Sequence, residues 1–362
     1  DSVLIGRMPI MLHSNYCILN EKMGKSLSEL GECNYDKGAY FIINGSEKVI
    51  LSQEKMAPNK AFVRDLRKSS GGKYDDMVEI QSMSQNSQQI VKQLKIKFLA
   101  KDISNTVGKS IRVTIPRIRQ EIPLFILFRA LGVSSDRDIM NLCVYDMEDE
   151  RLLELLRGSF EDSVGINDQH SAIVYMSKYI TYIIKSGLNE KMTEEEKEEE
   201  RYNQVYDILR NDVLPHVGDE FKNKSWYIGY MVNELLNCHI GRYPYHDRDH
   251  YANKRIDLPG YKLAELFAQN FSKMIKDART FIVREIMKTD HDKINDNLSK
   301  IFKSAQIESP IKFALSTGNW GLKQGAVNVA KQGVAQVLAR LTPLNTISHI
   351  RRINTPIDAT AK

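Results

Sequence analysis

A chain of 362 residues with 42% hydrophobic and 27% charged side chains has the composition of a globular protein and room for two or three domains. Its longest apolar run, "IPLFILF" at 122–128, is far shorter than the ~20 residues that cross a bilayer, so no membrane span is expected. The net charge is +5, and residues 306–362 carry all of it: Lys312, Lys323, Lys331, Arg340, Arg351, Arg352 and Lys362 stand against only Glu308 and Asp358. A basic end on a balanced body predicts a local polyanion contact, with a solvated surface as the alternative.

The opening "DSVLIGRMPIML" has neither the basic start nor the cleavage pattern of a signal peptide, and no initiator Met, which predicts an internal piece of a longer protein. The first sixty residues read as β-rich. "AYFIINGSEKVILSQ" holds two strand-like runs about Asn44-Gly45, a pair suited to a tight hairpin turn. "QLKIKFLA" and "SIRVTIP" alternate apolar and polar residues, as half-buried strands do, and "RKSSGGKYDD" reads as a loop or segment boundary. After Pro123 the pattern turns helical. In "SSDRDIMNLCVYD" the serines can cap a helix; "DQHSAIVYMSKYITYIIKSG" predicts one long helix ending near a glycine. "MTEEEKEEERYNQVYDILRNDVLP" begins acidic, which suits the positive end of a helix dipole, and stops at Pro215. Beyond Pro259-Gly260, Leu263, Leu266, Phe267, Phe271, Met274, Ile275, Ala278 and Ile282 trace one helical stripe, expected as core. "STGNWG" reads as a turn with an embedded Trp. In "GVAQVLARL", Val334, Val337, Leu338 and Leu341 share one face at helical spacing, with Gln332, Gln336 and Arg340 on the other. No repeat of 20–50 residues appears.

Chemistry is sparse. Cys17, Cys33, Cys143 and Cys238 form no CxxC pair, which argues against a zinc ribbon and for reduced thiols. No phosphate-binding glycine motif, nucleophile elbow or DxDxD-type carboxylate cluster occurs. The densest set of metal-type ligands is "HDRDHYANKR", His246–Arg255. Two histidines four apart can share a helix face, as in zinc motifs. Against this, Arg248, Lys254 and Arg255 crowd the site with cations. Asp247, Arg248, Asp249, Lys254 and Arg255 can instead satisfy one another as an ion-pair network.

Several segments carry a resemblance. "IGRMPIMLHSNYCIL" (5–19) and "KGAYFIINGSEKVILSQE" (37–54) resemble the protrusion of the second-largest subunit of multisubunit DNA-directed RNA polymerase. "IPLFILFRALGVSSDRDI" (122–139) resembles that subunit's lobe. "GYMVNELL" (229–236) and "DRDHYANKRIDLPG" (247–260) resemble the return from lobe to protrusion. "ALSTGNWG" (314–321) and "GVAQVLARLTPLNTISHIRRINTPID" (333–358) resemble the fork. The matches run in family order along essentially the whole chain.

The resemblance implies an α+β, multidomain architecture: protrusion over 1–71, lobe over 72–258, returning protrusion over 259–315 and fork over 316–362. It implies that this chain forms one side of the DNA cleft and a fork touching the RNA–DNA hybrid and downstream DNA. No catalytic residue and no metal are expected here, since the catalytic magnesium of such enzymes is held mainly by the largest subunit. Expected partners are that subunit, smaller polymerase subunits, nucleic acid, and initiation factors on lobe and protrusion. The expected location is a nucleus, or a virion or host cytoplasm if a large DNA virus is the source. Within the fork, Gln336 and Arg352 align with residues near the hybrid, and Lys323, Lys331, Arg340 and Arg351 complete the expected nucleic-acid contacts. Of the adjacent pair Arg351 and Arg352, one is expected to touch nucleic acid and the other to support the loop through a carboxylate. Loops are expected around Gly321–Lys331 and Asn354–Lys362. The resemblance favours the network reading of His246–Arg255, as a buried tie between domains. Alternatives are a stand-alone interaction module derived from a split subunit and, more remotely, a hydrolase built on His246 and His250.

Overall fold

The computed structural model describes residues 4–20, 26–67, 71–84, 91–100, 109–181, 193–286, 302–321 and 331–355. The chain divides into two compact units, residues 1–55 with 254–362, and residues 56–253. The segments implied by the resemblance are drawn at 71 and 258; compactness divides the chain at Met56 and Asn253.

The first unit opens with β1 (Phe41–Ile43) and β2 (Ser46–Ile50), antiparallel with Ile43 opposite Ser46. Asn44 and Gly45 both take positive φ, 51° and 78°, as the two-residue hairpin demands. β3 (Ser52–Met56) follows. The second unit begins with β4 (Ala61–Asp65), β5 (Tyr74–Ser82), β6 (Lys92–Leu99), β7 (Ile111–Thr114) and β8 (Ile122–Pro123). They pair in sequence order, all antiparallel; of the expected loop "RKSSGGKYDD", Tyr74, Asp75 and Asp76 already belong to β5, and residues 68–70 lie outside the described residues. Alternate residues of the sheet, Val78, Ile80, Leu94, Ile96, Phe98, Ile111 and Val113, are fully buried.

Six α-helices complete this unit among the described residues: α1 (Leu124–Ala130), α2 (Asp136–Cys143), α3 (Glu150–Glu161), α4 (Gln169–Ser177), α5 (Glu194–Asn211) and α6 (Phe221–His239). Ser135 caps α2 through the Asp138 N–H, as expected from sequence. Thr193 and Glu196 form a reciprocal capping box at the acidic start of α5. The expected long helix from Asp168 is cut short. α4 stops at Ser177, Arg119 N–H donates to Tyr179 C=O, and Thr181 N–H donates to Arg117 C=O. The β-branched Ile180 bridges to Ile118 instead of extending the helix.

The chain returns to the first unit through β9 (Lys254–Asp257), α7 (Pro259–Ile286), α8 (Ala305–Thr317), β10 (Ala335–Val337), α9 (Pro343–Ile350) and β11 (Ile353–Asn354). Two three-stranded sheets result, β1-β2-β10 and β11-β3-β9. Val49 and Ile50 are neighbours on β2 and so point to opposite faces. Ile50 joins Leu266, Met274, Ile307, Ile311, Leu315 and Trp320, and Val49 joins Tyr40, Leu51 and Leu338.

Two expectations are corrected here. Only part of the α7 stripe is core: Leu266, Met274 and Ala278 are buried, while Phe271 and Ile275 are 37% and 44% exposed. "GVAQVLARL" is not a helix. Its residues Ala335–Val337 form a strand in which Gln336 pairs with Val49 in an antiparallel ladder; Val337 and Leu341 are exposed while Val334, Ala335 and Leu338 stay buried.

Candidate nucleic-acid interface

The stretch from β10 through α9 to β11 carries four of the six expected nucleic-acid residues, and Lys331 lies just upstream. Thr342 starts α9, its hydroxyl accepting from Asn345 N–H at 3.1 Å, with Pro343 in the first turn. Thr346 then donates its hydroxyl to Ala339 C=O at 2.7 Å, which fastens the helix to the turn after β10. His349, on the same inward face, is buried and accepts the Ala339 N–H at Nδ1, 3.1 Å, while its Nε2 lies 3.1 Å from Gln336 Oε1. Gln336 is half-buried, and its amide nitrogen donates to Gly333 C=O at 3.3 Å. Burial and the Arg352 cation both push the His349 imidazole below its ordinary value, so the ring is neutral near pH 7.

Arg340 is committed elsewhere. Its guanidinium grips Glu47 through two bonds of 2.8 Å, reaches Asp36 at 3.2 Å, and lies 5.0 Å from the centre of the Tyr40 ring. Tyr40 donates its hydroxyl to Asp36 at 2.7 Å. Burial works against the Asp36 charge, but Gly38 N–H, Tyr40 and Arg340 outweigh it and hold that carboxyl low. Two carboxylates therefore neutralise Arg340, which acts as a strut from the segment after β10 to β2.

Arg351 and Arg352 are the opposite case. Both are exposed, and neither side chain has a carboxylate or hydrogen-bond partner among the described residues. The expected division of labour, one arginine on nucleic acid and one on a carboxylate, is not what the described residues show. Helix α9 ends at Ile350, and both arginines, with Leu344, Ile347 and Ser348, line one open hollow of about 480 Å³. Lys331 is exposed and its backbone exchanges bonds of 2.8 and 2.9 Å with Trp320. Lys323 lies outside the described residues, as does most of each expected fork loop.

The His246–Arg255 run is divided between the units. In the second unit, His246 N–H donates to Val63 C=O and Val63 N–H donates to His246 Nδ1, each 3.1 Å. His250 Nδ1 accepts from Ala252 N–H at 3.1 Å. Each histidine thus spends one ring nitrogen on backbone, and no group of three or more His, Cys, Asp or Glu placed to hold a metal occurs among the described residues. Arg248 reaches the buried Glu79 at 3.4 Å, and Asp247 accepts Asp249 N–H at 2.8 Å. Asp247 and Asp249 are exposed, which corrects the expectation of a buried network. The buried member is Asn253, unmarked by sequence: its amide donates to Asp247 C=O at 2.6 Å and accepts from Lys60 at 2.7 Å. In the first unit Lys254 pairs with the buried Glu54 at 2.6 Å, and Arg255 donates to Lys254 C=O at 2.8 Å.

Paired exposed arginines at a helix end give this stretch a cationic surface of the kind that can meet a polyanion. The chain belongs to the family described as RNA polymerase Rpb2, domain 2, whose pattern matches residues 76–257, half of its length. It is 42% identical, over 99% of its own length, to the DNA-directed RNA polymerase II subunit 2 of Arabidopsis thaliana. It is 39% identical over its full length to the RPB2 subunit of RNA polymerase II from Schizosaccharomyces pombe, and 30% identical over 98% to the Rpo2 subunit from Saccharolobus shibatae. It spans only 28–29% of the length of these relatives. The resemblance drawn from short motifs therefore holds along the whole chain, which corresponds to a segment of the second-largest RNA polymerase subunit. The relatives named here are cellular and give a viral source no support.

Proposed function

We propose that this chain is the cleft-forming segment of the second-largest subunit of a DNA-directed RNA polymerase, with its C-terminal stretch acting as the fork beside the RNA–DNA hybrid and downstream DNA. The observation that carries this is the contrast among its arginines. Arg351 and Arg352 are exposed and unpaired among the described residues, while Arg340 is neutralised in place. Cations left free at the surface suit phosphate contacts, which position nucleic acid without reading sequence, as a processive enzyme requires. In this reading Gln336 adds a hydrogen bond to RNA, and Lys331 and Lys323 add charge nearby. Bond formation belongs elsewhere in the assembly, where magnesium is held mainly by the largest subunit. The partners are that subunit, the smaller polymerase subunits, nucleic acid, and initiation factors; the location is the nucleus of a eukaryote.

The test uses polymerase assembled with Gln336→Ala or Arg352→Ala. Elongation complexes should dissociate faster as KCl is raised, while co-purification with the largest subunit stays unchanged. Unaltered salt tolerance in both variants would remove the fork assignment.

A further inference from the structure

His349 is 4% exposed and engages both ring nitrogens. The Ala339 backbone N–H faces Nδ1. A backbone amide can only donate, so Nδ1 must be the bare nitrogen and the proton must sit on Nε2. The 3.1 Å contact between Nε2 and Gln336 Oε1 is then a donation from histidine to glutamine. That fixes which way the Gln336 amide points: its oxygen faces His349 and its nitrogen faces away, with one N–H spent on Gly333 C=O at 3.3 Å. An amide nitrogen carries two hydrogens, so the second N–H has no partner among the described residues.

We propose that His349 is a positioning residue that locks the Gln336 amide into a donor-presenting orientation, so that Gln336 selects an acceptor oxygen of the RNA backbone. A glutamine free to flip would offer donor or acceptor alike; a glutamine held at its oxygen offers only N–H. The acceptor is a phosphate or a 2′-hydroxyl oxygen. The proposal rests on the fork reading above and adds to it the residue that sets the contact's polarity. His349 itself touches no nucleic acid. Thr346, through Ala339 C=O, and Ala339 N–H hold the ring from the other side.

The experiment is a double-mutant cycle in the assembled polymerase, read as the half-life of elongation complexes at raised KCl. His349→Leu should shorten the half-life by about the same factor as Gln336→Ala, and the double variant should be no worse than Gln336→Ala alone. His349→Gln, whose amide nitrogen can stand where Nε2 stood, should recover most of the loss. Additive losses in the double variant, or no recovery with His349→Gln, would overturn the proposal, because a merely structural histidine gives that pattern. A harmless Gln336→Ala removes the RNA contact and this inference with it. A harmless His349→Leu beside a harmful Gln336→Ala keeps the contact and sinks the inference alone. Repeating the cycle on a hybrid whose product strand is 2′-deoxy identifies the acceptor: loss of the Gln336 effect points to the 2′-hydroxyl, persistence to phosphate.

Discussion

Asp76 is fully buried, yet its partners favour its charged form. Burial raises a carboxyl's pKa, but His239 Nδ1 at 2.5 Å, the Tyr245 hydroxyl at 2.8 Å and Arg67 at 3.6 Å more than offset it, so the folded value lies below the ordinary one. A depressed carboxyl contributes stability that is whole above its unfolded pKa, about 4, and is lost as pH falls through the folded value. Asp76→Ala should cost about 3 kcal/mol or more at pH 7, since it strands its partners. Urea unfolding should show the gap to wild type narrowing below about pH 4. Asn253 makes a comparable case without charge. Asn253→Ala breaks the bonds to Asp247 and Lys60 and should destabilise by about 1–3 kcal/mol. Asp249→Ala, at an exposed position, should cost less; equal losses would show that the aspartate matters more than its burial implies.

Between elements, close contact overrides propensity at Gly229, inside α6. A β-carbon there would lie 2.3 Å from Leu142 C=O on α2. In an isolated helix Gly→Ala stabilises by roughly 0.5–1 kcal/mol. Here the overlap is with backbone, so Gly229→Ala should instead destabilise by about 1–3 kcal/mol in a denaturant titration. A stabilised variant would mean that α2 shifts freely. The same tension between local and long-range rules decides what the sequence tells. Short-range chemistry is legible: Asn44-Gly45 makes its hairpin, Ser135 caps its helix, the acidic run opens α5, and the alternating runs become β6 and β7. Misread stretches are those whose partner is remote. Gln336 lies in a strand because β2, nearly three hundred residues upstream, supplies the ladder; helical spacing within "GVAQVLARL" carries no trace of it. α4 ends early because residues 117–119 take up its outgoing backbone. The site follows this pattern. A basic tail can be counted from sequence, but Asp36 and Glu47, which silence Arg340, stand about three hundred positions away.

For the whole molecule, formal charge overstates the cations free to meet a polyanion. The C-terminal stretch holds seven basic residues, yet Arg340 is bound to two carboxylates from the start of the chain, with its own pKa raised chiefly by the Glu47 hydrogen bond. Counterion release counts only cations that meet phosphate in the complex; each such contact contributes roughly 0.7–0.9 to the slope of log affinity against log salt. Three variants of the assembled polymerase separate the two kinds of arginine. Arg351→Gln and Arg352→Gln should each make the slope of elongation-complex affinity shallower by about 0.7–0.9 with little change in thermal stability. Arg340→Gln should leave the slope unchanged and lower the unfolding temperature, because it strands Asp36 and Glu47 against each other. A slope that falls equally for all three would mean that Arg340 releases its carboxylates and turns to phosphate when nucleic acid binds.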